Sequence, residues 1–569
     1  MIRRKIAEII REAYRKCSED GVFSYKIDIN PTIEIPREGE FGDYSTNIAF
    51  LLAPKLKIPP QEIAKTIIQN MDYSDICEKV EPAGKGFINF YVKDSIWKQT
   101  LFNIYRSGID SFLPDVGNGK KVLIEFVSAN PTGPLHIGHG RGAVVGDVLA
   151  NILKNTGHKV VKEYYVNDAG KQIATLGEST YSRWRGLKGD ITEYPQHFYQ
   201  GEYVKSLASE LIEKNIPIPT DRNEAVKFMS EYSGSSVMKS IREDLEEFGV
   251  FFDNYYRESN LYEKGIVDDT LELLRKKGFA YEKDDALWFK TSLFEKDEDR
   301  VLIKSDNEKT YFASDIAYHR EKLERGFELL IDLWGSDHHG YIPRLKASLE
   351  AVDKKKDSLK VILIQFVTLL KDGKPIGMST RAGQFTTLKE VLNEVGRDAA
   401  RFFFLMRKSD AHLEFDLDLA KKTSNENPVF YVQYANARIQ SIFRNAEEEG
   451  IDVNIFISEG RNKGETGKEH VAEGFINIDL LNEKEEINLI KAIYHFYDVM
   501  EGCARSLEPH RLTFYLIDLV GKFHSYYNKT RVLKNEIKLT MARLLLLFML
   551  QNVIKKGLNI LGVSAPERM

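Results

Sequence analysis

Cysteine is scarce: only Cys17, Cys77 and Cys503 occur, far apart and without C-x-x-C spacing. That excludes a disulfide framework and a zinc knuckle, and the chain reads as intracellular. The N-terminal stretch lacks the continuous apolar core of a secretory signal, and Glu8 and Glu12 depart from the acid-poor composition of a transit peptide. Long apolar runs are missing as well. Leu544 to Leu550 covers seven residues, so no membrane span is expected. Net charge of one sign is small, and −5 over 569 residues gives no general affinity for polyanions.

What is present is unevenly placed. Hydrophobic residues at 43% and charged residues at 29% are ordinary for a soluble globular protein. The length exceeds one compact core, so roughly three to four domains are expected. From Gly521 to Met569 nine Lys or Arg stand against two acids, a local +7 in a chain whose remainder carries −12. Such a face suits a polyanion that docks at one place, and a solvated helix surface explains it equally well.

The stretch Lys121 to Ala150, KVLIEFVSANPTGPLHIGHGRGAVVGDVLA, reads as strand, turn and helix. Val122, Leu123, Ile124, Phe126 and Val127 form a short apolar run interrupted by Glu125, as in a buried parallel strand. Asn130, Pro131, Gly133 and Pro134 then turn the chain. Beyond Gly138 the stripe Val144, Val145, Val148, Leu149, Ile152 and Leu153 recurs at helical spacing. His136, Ile137, Gly138 and His139 therefore stand at a helix N-terminus, whose unpaired N–H groups suit a phosphate. Gly138 lets a flat base approach the backbone, and two imidazoles on one turn can both donate to a triphosphate.

Before this stretch, Ile2, Ile6, Ile9, Ile10, Ala13, Tyr14 and Cys17 predict an amphipathic helix. A helix through Ile48 to Leu56, which Asp43 or Ser45 could cap, and a strand from Gly86 to Val92 complete a small α/β module. After it, Val160 to Val166 predicts a second strand that closes a right-handed β-α-β unit. A polar, aromatic-rich insertion follows from about 171 to 294. Strands at Leu329 to Gly340 and Val361 to Val367 extend an open parallel sheet, whose ligands bind beyond the carboxyl ends of its strands. His338 and His339 are adjacent with no third ligand nearby, so no metal centre is expected. Tyr311 and Asp315, at i and i+4, could lie together on an exposed helix face. From Asn427 the pattern is helical, with Tyr431, Tyr434 and Arg438 on one face, as core packing or base stacking would require. Asn445 to Lys484, rich in Glu, Gly and Asn, reads as a solvent loop.

Several of these stretches resemble one family, in its order. FVSANPTGPLHIGHGRG is similar to the HIGH signature of class I aminoacyl-tRNA synthetases in its arginyl form. Gly42, Asp43, Tyr44 and Asn47 resemble that family's GDY-x-x-N element, Asn167 to Gly170 its NDAG turn, and Gly335 to His339 its GSDHH turn. NPVFYVQYANAR and the terminal PERM resemble its anticodon-binding domain. LLKDGKPIGMSTRAGQF is similar to the second signature, K-M-S-K-S, but has Gly377 at the first lysine, Thr380 at the second and Arg381 at the last serine.

The resemblance implies a multidomain α/β plus all-α protein. Its parts would be an N-terminal tRNA-contacting α/β domain (1–113), a Rossmann-like parallel-sheet catalytic domain (114–426) and a C-terminal helical bundle that binds the anticodon (427–569). It implies ATP-dependent attachment of L-arginine to tRNA(Arg) through an arginyl-adenylate. Mg2+ would accompany ATP, tRNA would be required even for activation, and the enzyme would be a cytoplasmic monomer without membrane attachment. Pro131, His136, Gly138, His139, Met378 and Ser379 would bind ATP. His136, Gly138, His139 and Arg381 would act in catalysis, with Lys374 as the alternative cation. Glu125, Ser128, Asn130, Tyr311 and Asp315 would hold arginine, Asp315 supplying the carboxylate that a planar guanidinium requires. Asn47, Tyr431, Tyr434, Arg438 and Met569 would contact tRNA. The rival readings are another class I synthetase, or an inactive tRNA-binding paralogue that has lost the signature lysine.

Overall fold

A computed structural model describes residues 2–24, 27–36, 39–168, 170–190, 193–376, 386–456, 476–534 and 536–569. They form two compact units, one of Met1–Gly108, Val453–Tyr494 and Tyr526–Met549, the other of Ile109–Asp452, His495–Ser525 and Leu550–Met569.

The first unit opens with the helix Ile2–Glu19, which buries the stripe expected of it except Ile9. Strands β1 (Ile33–Glu34), β2 (Tyr44–Thr46), β3 (Cys77–Ala83) and β4 (Phe87–Val92) make an antiparallel sheet in the order β1-β2-β4-β3. The start of the helix Ile48–Leu56 differs from expectation, because Asn47 holds the N-cap position and makes no side-chain cap bond. Asp43 instead accepts the Val92 N–H at 2.9 Å and pairs with Lys491 at 2.6 Å, while Ser45 lies in β2. Sheet pairing takes both residues out of reach of the cap. Trp97 is fully buried between Tyr44 and Tyr494, with ring centroids 6.2 and 5.2 Å away.

One helix, Ile537–Leu561, corrects the expectation about apolar runs, since by length and composition it could cross a membrane. Its most apolar window is 72% buried within the protein. Arg543 explains why the sequence hides it: this charge breaks the run and is itself buried against Glu486 at 2.7 Å.

The second unit is built on a parallel sheet of β5 (Lys121–Glu125), β6 (Lys159–Val166) and β7 (Asn254–Arg257). β8 (Ala280–Lys283), β9 (Ala286–Phe289) and β10 (Arg300–Ile303) form a separate antiparallel sheet. β11 (Leu329–Gly335) and β12 (Leu359–Ile364) then return to the parallel sheet, whose order is β12-β11-β5-β6-β7. The expected insertion at 171–294 thus re-enters the sheet within its own span, at β7. Its first part is helical, Lys171–Leu187, Glu202–Glu213 and Arg222–Glu247. The expected strand Val361 to Val367 also divides. β12 ends at Ile364, Phe366 is 65% exposed, and β13 (Val367–Lys371) joins another sheet with β14 (Lys374–Pro375) and β15 (Leu413–Asp416). The expected loop from Asn445 begins later, because the helix Pro428–Glu448 runs past it, and residues 457–475 lie outside the described ones.

The helix Ile137–Asn155 lies close on β5 because Gly146 allows it: a Cβ there would stand 2.3 Å from the Phe126 ring. On the same helix buried Asp147 pairs with Lys162 of β6 at 2.9 Å and with Arg401 at 2.5 Å. Arg401 also donates to the carbonyls of Leu561 and Phe248. Asp147 therefore joins the helix, the sheet and the chain end. Asp147→Ala would leave two buried cations uncompensated and should destabilise the protein by about 3–5 kcal/mol. Urea denaturation measures it; a loss under about 1 kcal/mol, the range of exposed pairs, would remove this role.

Candidate active site

The chain builds β5, β6 and β7 outward in one direction, then places β11 on the other side of β5. The crevice at the carboxyl ends of β5 and β11 is therefore the switch point at which open parallel sheets hold ligands. Three strands carry an acid in otherwise apolar runs, and the register aligns them: Asp332 pairs with Glu125, and Glu125 with Glu163. The helix Tyr311–Glu324 and the residue after it neutralise this row. Lys322, fully buried, reaches Glu125 at 2.5 Å and Asp332 at 3.1 Å, and Arg325 grips both oxygens of Glu163 at 2.7 Å. His319 bridges Asp332 at 2.6 Å and the Asp315 carbonyl at 2.8 Å. Burial opposes the charge on Asp332, yet Lys322 and His319 hold its carboxyl down at about 2. Glu125 is pushed up by burial, with Lys322 opposing.

The turn that leaves β5 is strained. Val127 and Ser128 have φ of 67° and 41°, and the Ser128 N–H bonds back to the Phe126 carbonyl at 3.0 Å in a γ-turn. A β-branched residue at positive φ is an outlier, and each such position costs about 1–3 kcal/mol. The surroundings hold it in place. Ser128 Oγ donates to Glu125 at 3.0 Å and accepts the Tyr165 N–H at 3.1 Å, and the Tyr164 hydroxyl donates to the Ala129 carbonyl. Pro131 is buried, and Asn130 donates to Gln172 at 2.7 Å.

His136 caps the following helix, its Nδ1 accepting the Gly138 N–H at 3.1 Å, while His139 Nδ1 accepts the His136 N–H at 3.3 Å. The rings stack with centroids 3.7 Å apart. Two accepting Nδ1 atoms place both ring protons on Nε2, the donors an anion would meet. Burial pushes both imidazoles below their usual range, and His139, which also faces His136, down to about 3. Neutral rings thus stand at a helix N-terminus. At Gly138 an added Cβ would meet the His136 ring, 3.0 Å away.

Tyr311 and Asp315 separate. Tyr311 is 62% exposed at the mouth of a cleft of about 860 Å3, which Glu258, Tyr262, Thr310 and Tyr341 also line. Asp315, one turn further, points inward and accepts the Tyr341 hydroxyl at 2.5 Å, so the exposed-face reading fails for it. Burial pushes the Asp315 carboxyl up. Glu258, also buried, is pushed to about 7 by burial and then by Asp315 and Asp168. Sequence reasoning missed Glu258, although it directly follows β7. Recognising β7 as a sheet strand would have placed it at the carboxyl end of the sheet, where ligands bind.

Of the second signature, Met378, Ser379, Thr380 and Arg381 lie outside the described residues. Lys374 stands exposed in β14. Beyond the signature, Thr387 bridges to His136, and the Leu388 N–H bonds the Leu135 carbonyl at 2.8 Å. Thr387 and Glu390 cap the next helix, Leu388–Val395, reciprocally. The GSDHH turn ends β11 as a short helix, Ser336–Tyr341, with Ser336 on Gln365 at 2.8 Å. Among the described residues no three His, Cys, Asp or Glu are grouped to hold a metal.

The residues expected to contact tRNA are placed as follows. Tyr431, Tyr434 and Arg438 share a face of the helix Pro428–Glu448 and are half-buried rather than open. The His524 ring lies 4.9 Å from Tyr431 and 6.1 Å from Tyr434, and Arg438 sits 5.1 Å over Tyr434. The chain end packs on this helix: Asn436 donates to the carbonyls of Ala565 and Pro566, and Met569 is 52% exposed. Asn47 Oδ1 is buried with no hydrogen-bond partner among the described residues. The basic excess after Gly521 is partly spent internally, because Lys522, Lys529, Arg543, Lys555 and Lys556 all stand in ion pairs.

The lowered His139 has a stability consequence. Its neutral form is favoured on folding, so the unfolded chain binds more protons between about 3 and the ordinary 6.5. That contribution is complete above 6.5 and is lost as pH falls toward 3. His139→Asn should therefore flatten the acid side of the stability curve in denaturant titrations across this window. Parallel curves for both proteins would exclude His139 as the titrating group.

Three family models match the chain: Arginyl tRNA synthetase N terminal domain over residues 2–92, tRNA synthetases class I (R), catalytic domain over 108–416, and DALR anticodon binding domain over 432–569. An arginine–tRNA ligase of Geobacter sp. (strain M21) is 45% identical over 572 residues and one of Aquifex aeolicus (strain VF5) 42% over 607, each covering 100% of both chains. A solved putative arginyl tRNA synthetase of Campylobacter jejuni, 32% identical, has a TM-score of 0.73 and covers 84% of this chain and 100% of its own. The Thermus thermophilus arginyl-tRNA synthetase, 21% identical, has a TM-score of 0.77 over 100% of both and shares the fold. A catalytic-domain model matched over 108–416, joined to relatives of 45% identity over the full length, means that the chain belongs to the class I arginyl-tRNA synthetases.

Proposed function

We propose that the crevice beyond β5 and β11 is where this arginine–tRNA ligase activates L-arginine with ATP. What supports the reading is that the carboxyl end of the parallel sheet leads to two opposite sets of groups. Neutral His136 and His139 offer Nε2–H donors at a helix N-terminus, while half-buried Asp315 and buried Glu258 offer carboxylate to a cation. A carboxylate oxygen of arginine attacks the α-phosphorus, and the bond to the bridging oxygen of pyrophosphate breaks. A ribose hydroxyl of tRNA(Arg) then attacks the arginyl carbonyl and expels AMP. Such steps depend on positioning and on donors aimed at developing charge. His136, Gly138, His139 and buried Pro131 would hold ATP with Met378 and Ser379, and Arg381 or Lys374 would meet the pyrophosphate. Mg2+ would arrive on the phosphates, as is usual for this ion.

Asp315, with Tyr341 holding it, would take the guanidinium. Tyr311 would close the cleft mouth, and Glu125, Ser128 and Asn130 would hold the rest of the amino acid. Asn47, Tyr431, Tyr434, Arg438 and Met569 are proposed as tRNA contacts, in domains of 1–113, 114–426 and 427–569. The His524 stack supports Tyr431 and Tyr434 as a preorganised aromatic face on which bases could stack. A cytoplasmic monomer without membrane attachment completes the proposal.

The test is pyrophosphate exchange across several amino acids, with and without tRNA. Exchange is expected with arginine alone and only when tRNA(Arg) is present. Exchange with another amino acid would favour a different class I specificity, and none at all beside tight tRNA binding would indicate an inactive paralogue. Arg381→Ala should depress exchange while tRNA affinity stays nearly unchanged, since its contact is made mainly in the transition state. A fully active variant would transfer that role to Lys374.

Asp315→Asn should weaken arginine by roughly 3–5 kcal/mol and spare ATP, because the guanidinium would lose its charged partner. Calorimetry showing equal arginine affinity would move the pocket elsewhere.

A further inference from the structure

Lys322 stands between Glu125 and Asp332 of the acid row. Its ammonium is fully buried, lies 2.5 and 3.1 Å from the two carboxylates, and stands 4.3 Å over the Tyr318 ring. Glu125 is gripped at both ends, one oxygen on Lys322 and the other on the Ser128 hydroxyl of the strained turn. We propose that Lys322 is a positioning residue for amino-acid binding, fixing the charge and the orientation of Glu125 and, through Ser128, the turn that faces the substrate. The inference rests on the arginine-activating reading above and adds to it a residue that need not touch arginine.

The physical reason is the register. Glu125 and Asp332 are partners on adjacent parallel strands, so their side chains share one buried face. Two such carboxylates without a cation cannot both stay ionised, and one takes a proton. The titratable groups around Glu125 are Asp332 of β11, Glu163 and Tyr165 of β6, and Tyr318, His319 and Lys322 of the helix. Of these Lys322 alone touches both acids. Removing it leaves a shared proton on the pair, and Glu125 then meets the substrate as a partly neutral group with a loosened hold on Ser128.

Lys322→Met is therefore compared with the full-length wild type in tRNA-supported pyrophosphate exchange. The arginine KM should rise roughly 100-fold while the ATP KM stays within about twofold. In the variant, kcat/KM for arginine should climb more steeply with pH from 6 to 9, as the shared proton leaves, than in the wild type, where the rise is that of Glu258, held at about 7. In a Glu125→Gln background, adding Lys322→Met should leave the arginine KM where Glu125→Gln alone puts it, because Lys322 acts through Glu125. The double variant removes one charge of each sign, so it carries the test if Lys322→Met alone fails to fold. Equal rises in both KM values with no steeper pH dependence than the wild type, or a further rise in the Glu125→Gln background, would overturn the proposal. A wild type without arginine-dependent exchange would instead overturn the functional reading on which it rests.

Discussion

The row of carboxylates across β11, β5 and β6 is the constraint on which the rest of the catalytic unit depends. Three acids on adjacent parallel strands repel one another in a place with little water, and the sheet persists only with two cations set against them. Lys322 and Arg325 come from one helical run at i and i+3, so a single rigid element satisfies the row. The same helix begins at Tyr311 and carries Asp315 on its second turn. Neutralising the sheet and shaping the cleft are thus one act of packing, and a shift of this helix would disturb both.

A second consequence concerns the strained turn. Val127 and Ser128 would relax if the Ser128 hydroxyl lost Glu125 or the Tyr165 N–H. The charge network therefore reaches the backbone that leads to His136. From there the helix Ile137–Asn155 passes the constraint back into the core through Asp147. One ionic cluster lies at the sheet end, with Arg325 at its half-exposed edge, and the other is buried along the helix.

Much of this was legible in the sequence where the determinants are local. The run Val122 to Val127, the turn residues Asn130 to Pro134 and the stripe from Val144 lie within thirty residues of one another, and the strand, turn and helix follow from them. Glu125 was visible as an acid inside an apolar strand, but its partner Lys322 stands 197 residues away and no periodicity links them. β7 was hidden because it is a four-residue edge strand, Asn254–Arg257, with one neighbour and no alternation to mark it. With β7 hidden, Glu258 was hidden too. The run VILIQFV looked like one strand because apolar sequence does not record a change of sheet, which here falls at Gln365.

The two histidines decide what the remaining parts of the site must supply. Each spends its Nδ1 on a backbone N–H, and burial keeps both rings uncharged, so they bring donors and dipoles rather than positive charge. In the proposed reaction the departing pyrophosphate carries more charge than neutral donors balance, and a cation has to approach from elsewhere. The signature stretch is the natural source, since the chain just beyond it is pinned to the histidines by the Thr387–His136 bridge and the Leu388–Leu135 hydrogen bond. In that reaction Arg381 or Lys374, both within the dozen or so residues before Thr387 in the sequence, would supply the cation. Asp315 and Glu258 come from other elements, the helix Tyr311–Glu324 and the end of β7. In the proposed reaction the site would be polarised along its length, with donors toward the phosphates and carboxylates toward the guanidinium, and a substrate bearing the reverse polarity would be held in one orientation.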